Sequence, residues 1–409
     1  MEHQVELRDF LALLVVILGS AKLFGWIARQ VGQPAVLGEL IAGVIVGKSF
    51  LGLVDPTLEV VHLMAELGVI LLLFAIGLET DLAKLLKVGP TSAVVAVAGV
   101  VFPFVLGYGV VRAFGMPNLV AVIIGAALTA TSVGITARVL SDLGQLQSLE
   151  SQVILGAAIL DDVIGLVILA LVAGLARGEA ISALGVASTT AVAFGFLAVS
   201  IVVGRLVIPP MDRILARSTR IDTAAIFGLV FALGLGWLAD RVGSAMILGA
   251  FVAGLLLVKT TRHHEVEAGV TRLGQFFVPI FFVSVGASVD LSTLNPIDPQ
   301  NHGTLILTAA LTVVAVFGKF AAGFMPFRVK GRKMLVGVGM IPRGEVGLIF
   351  AQMGLRSGLL DDQRFAALTL VVMATTFLAP PWLKVLLPKV DVPQVVEETS
   401  GISELAMDE

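Results

Sequence analysis

ILGAAILDDVIGLVILALV, residues 154–172, is an apolar segment whose only charged residues are the adjacent carboxylates Asp161 and Asp162. About 20 apolar residues are enough for a helix to cross the hydrocarbon core of a bilayer. The two aspartates sit in the middle of the segment, so we expect them near the bilayer midplane. A charge there is costly, and intramembrane carboxylates are therefore candidates for a functional site.

The rest of the chain has the same character. Of its 409 residues, 57% are hydrophobic and only 14% are charged, against roughly 25% charged residues in average soluble domains. Such a sequence predicts an all-α membrane protein. We predict thirteen spans, near 9–28, 34–50, 58–78, 90–113, 118–141, 150–176, 182–208, 221–240, 242–258, 270–288, 304–325, 333–356 and 363–388.

Composition and motifs exclude several classes of protein. The chain has no cysteine, so it offers neither disulfides nor a thiolate metal site. It contains no phosphate-binding loop and no zinc or nucleophile motif. Its net charge is -3 and it has no long basic run, which argues against a nucleic-acid partner. We therefore predict a protein that is not an enzyme, needs no cofactor and binds neither nucleotide nor nucleic acid.

The distribution of Lys and Arg predicts the orientation. With thirteen spans, most loop cations fall on the side that also holds the C-terminus, among them Lys84, Arg213, Arg262 and Lys333. Positively charged loops stay in the cytoplasm. We therefore expect the N-terminus outside and a short cytoplasmic tail at 390–409.

The two halves of the chain resemble each other at an offset of roughly 210 residues, a period compatible with transporter repeats. Short sequences recur in the same order: Val31-Gly32 as Val242-Gly243, Ala42-Gly43 as Ala253-Gly254, Gly77 as Gly286, and Val133-Gly134-Ile135 as Val346-Gly347-Leu348. With span 7 as a linker, the second repeat enters the membrane from the opposite side. We predict two inverted six-helix repeats, an architecture typical of secondary transporters that bind substrate near mid-membrane.

Asp161 and Asp162 suit such a site. Adjacent residues on a helix point about 100° apart, so the two carboxylates cannot share one partner equally. Burial favours the protonated carboxyl and a bound cation favours the ionised one, so a carboxylate here can hold a proton or a metal ion but not both cheaply. Lys319, in the apolar segment LTVVAVFGKFAAGF, needs a counter-ion. We predict that it pairs with Asp161 and leaves Asp162 for the transported ion.

Two stretches break the helical pattern inside apolar spans. LTATSVGITARVL in span 5 contains Thr131 and Ser132, and GMIPRGEVGLIF in span 12 contains Arg343 and Glu345 among Pro and Gly residues. A broken backbone survives in a membrane only where protein or a water-filled cavity satisfies it. Because the repeat equates the two stretches, we predict discontinuous helices that cross beside the aspartates. The two hydroxyls would help to coordinate a cation, and Arg343 and Glu345 would offset the partial charges of half-helix ends.

Simpler interpretations of these residues exist. Backbone or hydroxyl groups could satisfy the aspartates, Lys319 could extend to the cytoplasmic interface, and the breaks could be ordinary kinks. Glu39 and Glu79 lie near span ends, where Glu79 with Asp81 could belong to an ion funnel. His263-His264 fall in a predicted loop, where they could respond to pH. For these weaker candidates a solvated surface is the simpler interpretation.

The segments that carry these residues resemble monovalent cation/proton antiporters of the CPA2 group, particularly the bacterial NapA type, with its NhaA/NapA-like fold. They are QPAVLGELIAGVIVG, LGVILLLFAIGLETDL, TATSVGITARVLSDLG, ILGAAILDDVIGL, FGKFAAGF and GMIPRGEVGLIFA, in family order over nearly the whole chain. Kef potassium-efflux proteins are similar more distantly. They usually carry a soluble nucleotide-binding domain after the last span, and the short tail here favours the NapA type.

The resemblance implies a homodimer in the inner membrane of a bacterium, with Asp162 as the residue that binds Na+ transiently and Asp161 paired with Lys319. It also implies a transmembrane antiporter domain at 1–389 in three parts: a dimerisation part at about 1–88 and 221–288, a mobile core part at about 89–177 and 304–388, and a linker helix at about 182–208.

We therefore predict exchange of Na+ or Li+ for H+ by alternating access, electrogenic if two protons move against one cation. A K+/H+ antiporter would share nearly every feature. An ion-coupled organic-anion symporter would need polar anchors for a larger substrate. A passive channel would be obstructed by a buried lysine beside paired aspartates.

Overall fold

The structure is a computed structural model that describes residues 6–80, 82–176, 183–216, 221–289, 301–326 and 331–387. Within these residues the chain forms fifteen α-helices and no β-strand. The helices are α1 (Leu7–Gln30), α2 (Ala35–Val46), α3 (Glu59–Glu79), α4 (Leu82–Ala113), α5 (Asn118–Ala127), α6 (Val133–Asp142), α7 (Leu149–Ala176), α8 (Ala183–Ala216), α9 (Ile221–Arg241), α10 (Met246–Leu257), α11 (His263–Ala287), α12 (His302–Ala322), α13 (Lys333–Gly339), α14 (Glu345–Arg356) and α15 (Asp362–Leu386).

Nine of the described helices contain a segment long and apolar enough to cross a membrane: α1, α3, α4, α7, α8, α9, α11, α12 and α15. The apolar helices α2 and α10 are shorter, with 12 residues each, and lie at the positions of two further predicted spans. The pairs α5/α6 and α13/α14 each form one interrupted span. The described helices thus account for thirteen spans, and the prediction of an all-α, multi-pass membrane protein is confirmed.

Several helix bounds differ from the predicted spans. α4 begins at Leu82 rather than near residue 90, and α11 begins at His263 rather than near residue 270. The extra turns carry polar residues such as the exposed Lys87, and a long polar side chain at a helix end can extend to the membrane surface. α2 has 12 residues and covers only about 18 Å. It ends at Val46 because the backbone becomes extended at Gly47.

The two halves fold alike. α1 to α7 correspond in order to α9 to α15, and α8 lies between them. The turn before α2 and the turn before α10 contain glycines with positive φ at equivalent places, 71° at Gly32 and 80° at Gly243. Six spans return the chain to its starting side, and α8 then carries it across. The second repeat is therefore inverted relative to the first.

Close glycine contacts repeat this correspondence inside the protein. A Cβ added to Gly43 of α2 would collide with the backbone of α11 around Gly286, and one added to Gly254 of α10 would collide with the backbone of α3 around Gly77. The sequence repeat equates Gly43 with Gly254 and Gly77 with Gly286. At both crossings, a helix of one repeat therefore contacts a helix of the other repeat through equivalent glycines.

The helices pack in two groups. The first group consists of α1, α2, α3, α9, α10 and α11, and the second group consists of α4, α5, α7, α12, α13, α14 and α15. α6 and α8 contact helices of both groups. The aspartates of α7, the lysine of α12 and both helix breaks therefore belong to, or border, the second group.

Candidate functional site

Asp161 and Asp162 lie in the middle of α7, and their surroundings differ. Asp161 is 1% exposed, whereas Asp162 is only partly buried. This difference is expected for adjacent positions on a helix, which face different directions. One carboxylate is enclosed by the second group, and the other remains partly accessible.

Lys319 is the hydrogen-bond partner of Asp161. Its Nζ donates to Asp161 Oδ2 at 2.9 Å, and both side chains are completely buried. Lys319 lies on α12 against α4, where Gly99 leaves room for it, because a Cβ at Gly99 would lie 3.4 Å from Nζ. The adjacent Gly318 allows α12 to approach the backbone of α4 at Pro103. The lysine therefore stays inside the protein and does not extend to the membrane interface.

Asp162 and Arg343 complete a charge cluster around this pair. The charges of both residues act on Lys319, and the charge of Asp161 acts on Arg343. The second oxygen of Asp161, Oδ1, is buried and has no hydrogen-bond partner among the described residues. Two acids and two bases thus share one region, which is formally neutral only while both carboxylates are ionised.

The two helix breaks cross each other. Residues 128–132 separate α5 from α6, and residues 340–344 separate α13 from α14. The backbone N–H of Ser132 donates to the carbonyl of Pro342 at 2.8 Å. Pro342 has no N–H and cannot continue a helix, but its carbonyl remains an acceptor. Each break thus satisfies part of the backbone that the other break exposes, and the predicted crossing of discontinuous helices is confirmed.

Thr131 and Ser132 are both buried in the first break. Thr131 Oγ1 donates to the carbonyl of Met340 at 3.4 Å. Ser132 Oγ accepts a long bond of 3.5 Å from the N–H of Ile135 and caps α6. The Thr131 hydroxyl therefore links the two breaks, whereas the Ser132 hydroxyl bonds within its own segment. Each hydroxyl oxygen still has a lone pair for a further partner.

Arg343 is completely buried in the second break. Its Nη1 donates to the carbonyl of Ile341 at 2.6 Å, and its Nη2 donates to the carbonyl of Ala315 in α12 at 3.0 Å. Carbonyls after the last turn of a helix carry negative partial charge. The guanidinium therefore lies just beyond the C-terminal end of α13, and its role in offsetting the partial charge of that end stays a prediction. α14 begins at Glu345, but the side chain of Glu345 lies outside the described residues, so its predicted role stays a prediction.

Sequence reasoning missed three positions. Gly99 makes room for Lys319, Thr136 Oγ1 donates to the last carbonyl of α13 at 2.8 Å, and Thr376 Oγ1 donates to the Arg343 carbonyl at 2.6 Å. Both threonines are polar residues in apolar spans, and that signal was available. Gly99 gave no signal, because glycine occurs 44 times in the sequence.

A cavity of about 530 Å³ lies between the first group and α6. The first-group helices α1, α2, α3 and α11 line one side, and α6 lines the other. The charged residues of its wall are Lys22, Arg29, Glu39, Glu79, Arg138 and Asp142. Asp162 is not among the described residues that line it, and Asp81 lies outside the described residues. The cavity is on the side predicted to be cytoplasmic.

His263, His264 and Glu267 bring donor atoms within 4.8 Å of one another at the start of α11. His264 Nδ1 lies 3.6 Å from Glu267 Oε2, and the His264 side chain is 85% exposed. The sequence prediction of a loop here was wrong, because α11 begins at His263. The exposure of the cluster is typical of a solvated helix end.

Comparison with known proteins relates this chain to one family. Residues 15–389 match the family model described as sodium/hydrogen exchanger, transmembrane. The chain is 41% identical to the high-affinity Na+/H+ antiporter NhaS3 of Synechocystis sp., covering 92% of this chain and 90% of that protein. It is 36% identical to the Na+/H+-K+ antiporter GerN of Bacillus cereus, with 92% and 96% covered.

The fold agrees with this assignment. The solved structure of the sodium proton antiporter MjNhaP1 from Methanocaldococcus jannaschii is similar, with a TM-score of 0.66 at 17% identity and with 92% of this chain and 96% of that chain covered. The family match and the relatives extend over nearly the whole chain. The chain belongs to the transmembrane sodium/hydrogen exchanger family, whose members are transporters and not enzymes.

Proposed function

We propose that this chain exchanges Na+, or Li+, for H+ across a bacterial inner membrane. The family match supports coupled exchange, and the name of the relative NhaS3 supports Na+ as the cation. The observation that carries the proposal is the buried cluster in which Lys319 Nζ lies 2.9 Å from Asp161 Oδ2, next to a partly accessible Asp162.

Asp162 is the carboxylate that alternates between a proton and a cation. It is more accessible than Asp161, which is enclosed with Lys319. An ionised Asp162 binds Na+ through oxygen, the ligand type that a hard cation prefers. A protonated Asp162 has lost the charge that attracts the cation, so the two substrates compete. The buried hydroxyls of Thr131 and Ser132 add oxygen ligands at the adjacent break.

The second group of helices moves relative to the first group. The separate packing of the two groups supports this division, and the cavity between the first group and α6 supports access from one side. The first group, at about 1–88 and 221–288, is the fixed dimerisation part of a homodimer. The core part, at about 89–177 and 304–388, carries Asp162 from one side of the membrane to the other.

Proton movement is coupled to the Asp161–Lys319 pair. Protonation of Asp162, and of Asp161 as its pair with Lys319 opens, brings two protons in, one on each carboxylate. One Na+ leaves in exchange, so each cycle moves one net positive charge inward. The titrations of the two carboxylates are coupled, so the two protons belong to the cluster as a whole. If the pair stays closed, one proton exchanges for one Na+ and the cycle is electroneutral.

The membrane orientation places the N-terminus outside and the C-terminus in the cytoplasm. The excess of Lys and Arg in the loops on the side of the C-terminus supports this arrangement. Reaction of single cysteines, introduced into the α3–α4 loop and the α4–α5 loop, with an impermeant thiol reagent on intact cells tests it. Only the α4–α5 position should react, and reaction of the α3–α4 position alone would reverse the orientation.

The test of exchange uses purified protein in vesicles with an internal pH-sensitive dye. Na+ and Li+ added outside should move protons outward, and vesicles of defined membrane potential should show a rate that depends on that potential. Absence of any cation-driven proton flux would overturn the proposed function. A rate independent of potential would support one-for-one exchange instead.

K+/H+ exchange is the second candidate. It is favoured by the 36% identity to GerN, whose name includes K+. Comparing Na+, Li+ and K+ in the same dye assay separates the two candidates. A response to K+ at concentrations similar to those for Na+ would assign the chain to both cations.

A further inference from the structure

Glu39 differs from the other acids in the wall of the cavity. It lies near the start of α2 and is only 4% exposed. Its Oε2 is buried and has no hydrogen-bond partner among the described residues. Its Cγ faces α1, where a Cβ added to Gly25 would lie 3.7 Å away. An ionised carboxylate is strongly disfavoured in such surroundings unless a cation or a proton joins it.

The charged groups around Glu39 do not fill this role. Those whose charges act on it are Lys22 and Arg29 of α1 and Arg138 and Asp142 of α6. Lys22 and Arg29 are exposed. Arg138 lies in an ion pair with Asp142, with 3.1 Å between Nε and Oδ1. None of these four residues donates a hydrogen bond to Glu39 Oε2.

The cavity offers space and oxygen for a small cation beside Glu39. Its volume of about 530 Å³ is many times that of a water molecule. Ser141, Thr271 and Gln275 contribute polar side chains to its wall, and Glu79 contributes a second carboxylate. A hard alkali ion takes oxygen ligands, from protein and from water, in any such combination.

We propose that Glu39 is a second cation site, which takes an alkali ion of the Na+ class or a proton between the cytoplasm and Asp162. Glu39 belongs to the first group and Asp162 to the second, so an ion passes from a carboxylate on one group to a carboxylate on the other. The inference rests on the proposed function only for the identity of the ion.

Binding of radioactive Na+ to purified protein at alkaline pH tests the site without transport. Asp162→Asn should retain one saturable Na+ per protomer. Asp162→Asn/Glu39→Gln should retain none, while the control Asp162→Asn/Glu59→Gln, which changes an exposed acid outside the cavity, should still bind. Absence of saturable binding in Asp162→Asn, or equal binding in the two double variants, would overturn the inference.

A second measurement uses the wild-type protein and does not depend on the folding of a variant. Dicyclohexylcarbodiimide modifies protonated carboxyls in apolar surroundings, and mass spectrometry identifies the modified residue. Glu39 should be modified, and Na+ but not choline should protect it. No modification of Glu39, or modification unaffected by Na+, would contradict the site.

The two proposals fail separately. If wild-type vesicles show no exchange but Asp162→Asn still binds Na+ through Glu39, the proposed function is wrong and the cation site stands. If exchange occurs and Glu39 neither binds nor reacts, the site is wrong and the proposed function stands.

Discussion

The first and second groups of helices use the sequence repeat in different ways. In the first group, the two repeats pack through equivalent contacts. Gly43 of α2 meets Gly286 of α11, and Gly254 of α10 meets Gly77 of α3. The two crossings are chemically the same, because each needs only the absence of a side chain for backbones to approach closely.

In the second group, equivalent positions carry different chemistry. At the offset that equates Val133 with Val346, Ala130 in the first break corresponds to Arg343 in the second. Asp162 of α7 corresponds at the same offset to Thr375 of α15. The backbone geometry of the breaks is repeated, but the charges are not.

This difference explains how a symmetric fold holds one asymmetric charge cluster. Symmetric packing supplies two crossed breaks and two facing helices. One copy of the aspartates, one lysine and one buried arginine then make the charge cluster asymmetric. We infer that substitutions at two equivalent positions have similar effects in the first group and different effects in the second group.

The largest effect is expected at Asp162 and its equivalent. Asp162→Asn should reduce exchange to the level of empty vesicles, because an amide can neither release a proton nor neutralise a cation. Thr375→Val should leave exchange close to wild type, because the Thr375 hydroxyl donates only to carbonyls of its own helix, at 2.8 and 2.9 Å. Both are measured by dye quenching in vesicles. Substantial exchange in Asp162→Asn would show that exchange does not depend on the charge difference between the two repeats.

The next effect is on stability, at Lys319. Lys319→Gln leaves Asp161 buried without its cation, and breaking a buried ion pair costs about 3–5 kcal/mol of unfolding free energy. The double variant Asp161→Asn/Lys319→Gln should recover most of this loss, because neither buried charge is then left without its partner. A double-mutant cycle with the two single variants isolates the pairwise term. Thermal unfolding in detergent measures it.

An exposed pair provides the control for Lys319. Lys48 Nζ lies 3.6 Å from Asp55 Oδ1, with side chains 58% and 42% exposed. Lys48→Gln should change the unfolding free energy by less than about 1 kcal/mol. Equal effects at Lys319 and Lys48 would show that burial of the charge cluster does not matter for stability.

A smaller loss is expected at Arg343. Arg343→Gln removes two hydrogen bonds from a charged donor to the Ile341 and Ala315 carbonyls, and it should destabilise the fold by about 3 kcal/mol. Arg241→Gln removes an exposed arginine that lies 5.4 Å from the Trp237 ring centroid, and should cost about 0.5–1 kcal/mol. Urea unfolding followed by tryptophan fluorescence compares them. A neutral Arg343→Gln would mean that the half-helix end is satisfied by other groups.

The smallest effects test the symmetric region. Gly43→Ala and Gly254→Ala should each destabilise the fold by about 1–3 kcal/mol, because the added methyl group collides with backbone. Gly19→Ala in α1, where nothing lies within 4 Å, should be neutral or stabilise the helix slightly. Thermal unfolding should give similar values for the two crossings. Clearly unequal losses of stability in the two variants would show that the two crossings are not equivalent.

The sequence alone was sufficient for much of the fold and for part of the site. Length and spacing of apolar segments predict helices and their number, because the bilayer requires each span to satisfy its own backbone. Pro342 and its neighbouring glycines mark a break in the helix, because proline has no backbone N–H and glycine weakens a helix. Bounds were less well predicted at α4 and α11, because polar ends of helices continue beyond the hydrocarbon.

Only the tertiary structure decided which residues far apart in the chain lie next to each other. The charge of Lys319 in an apolar segment predicts a counter-ion, but the distance of Lys319 from Asp161 depends on how α12 packs against α4 and α7. The position of Arg343 at the end of α13 and the enclosure of Glu39 beside a cavity have the same origin. Hydropathy is read along the chain, whereas hydrogen bonds and enclosure are set by packing between helices.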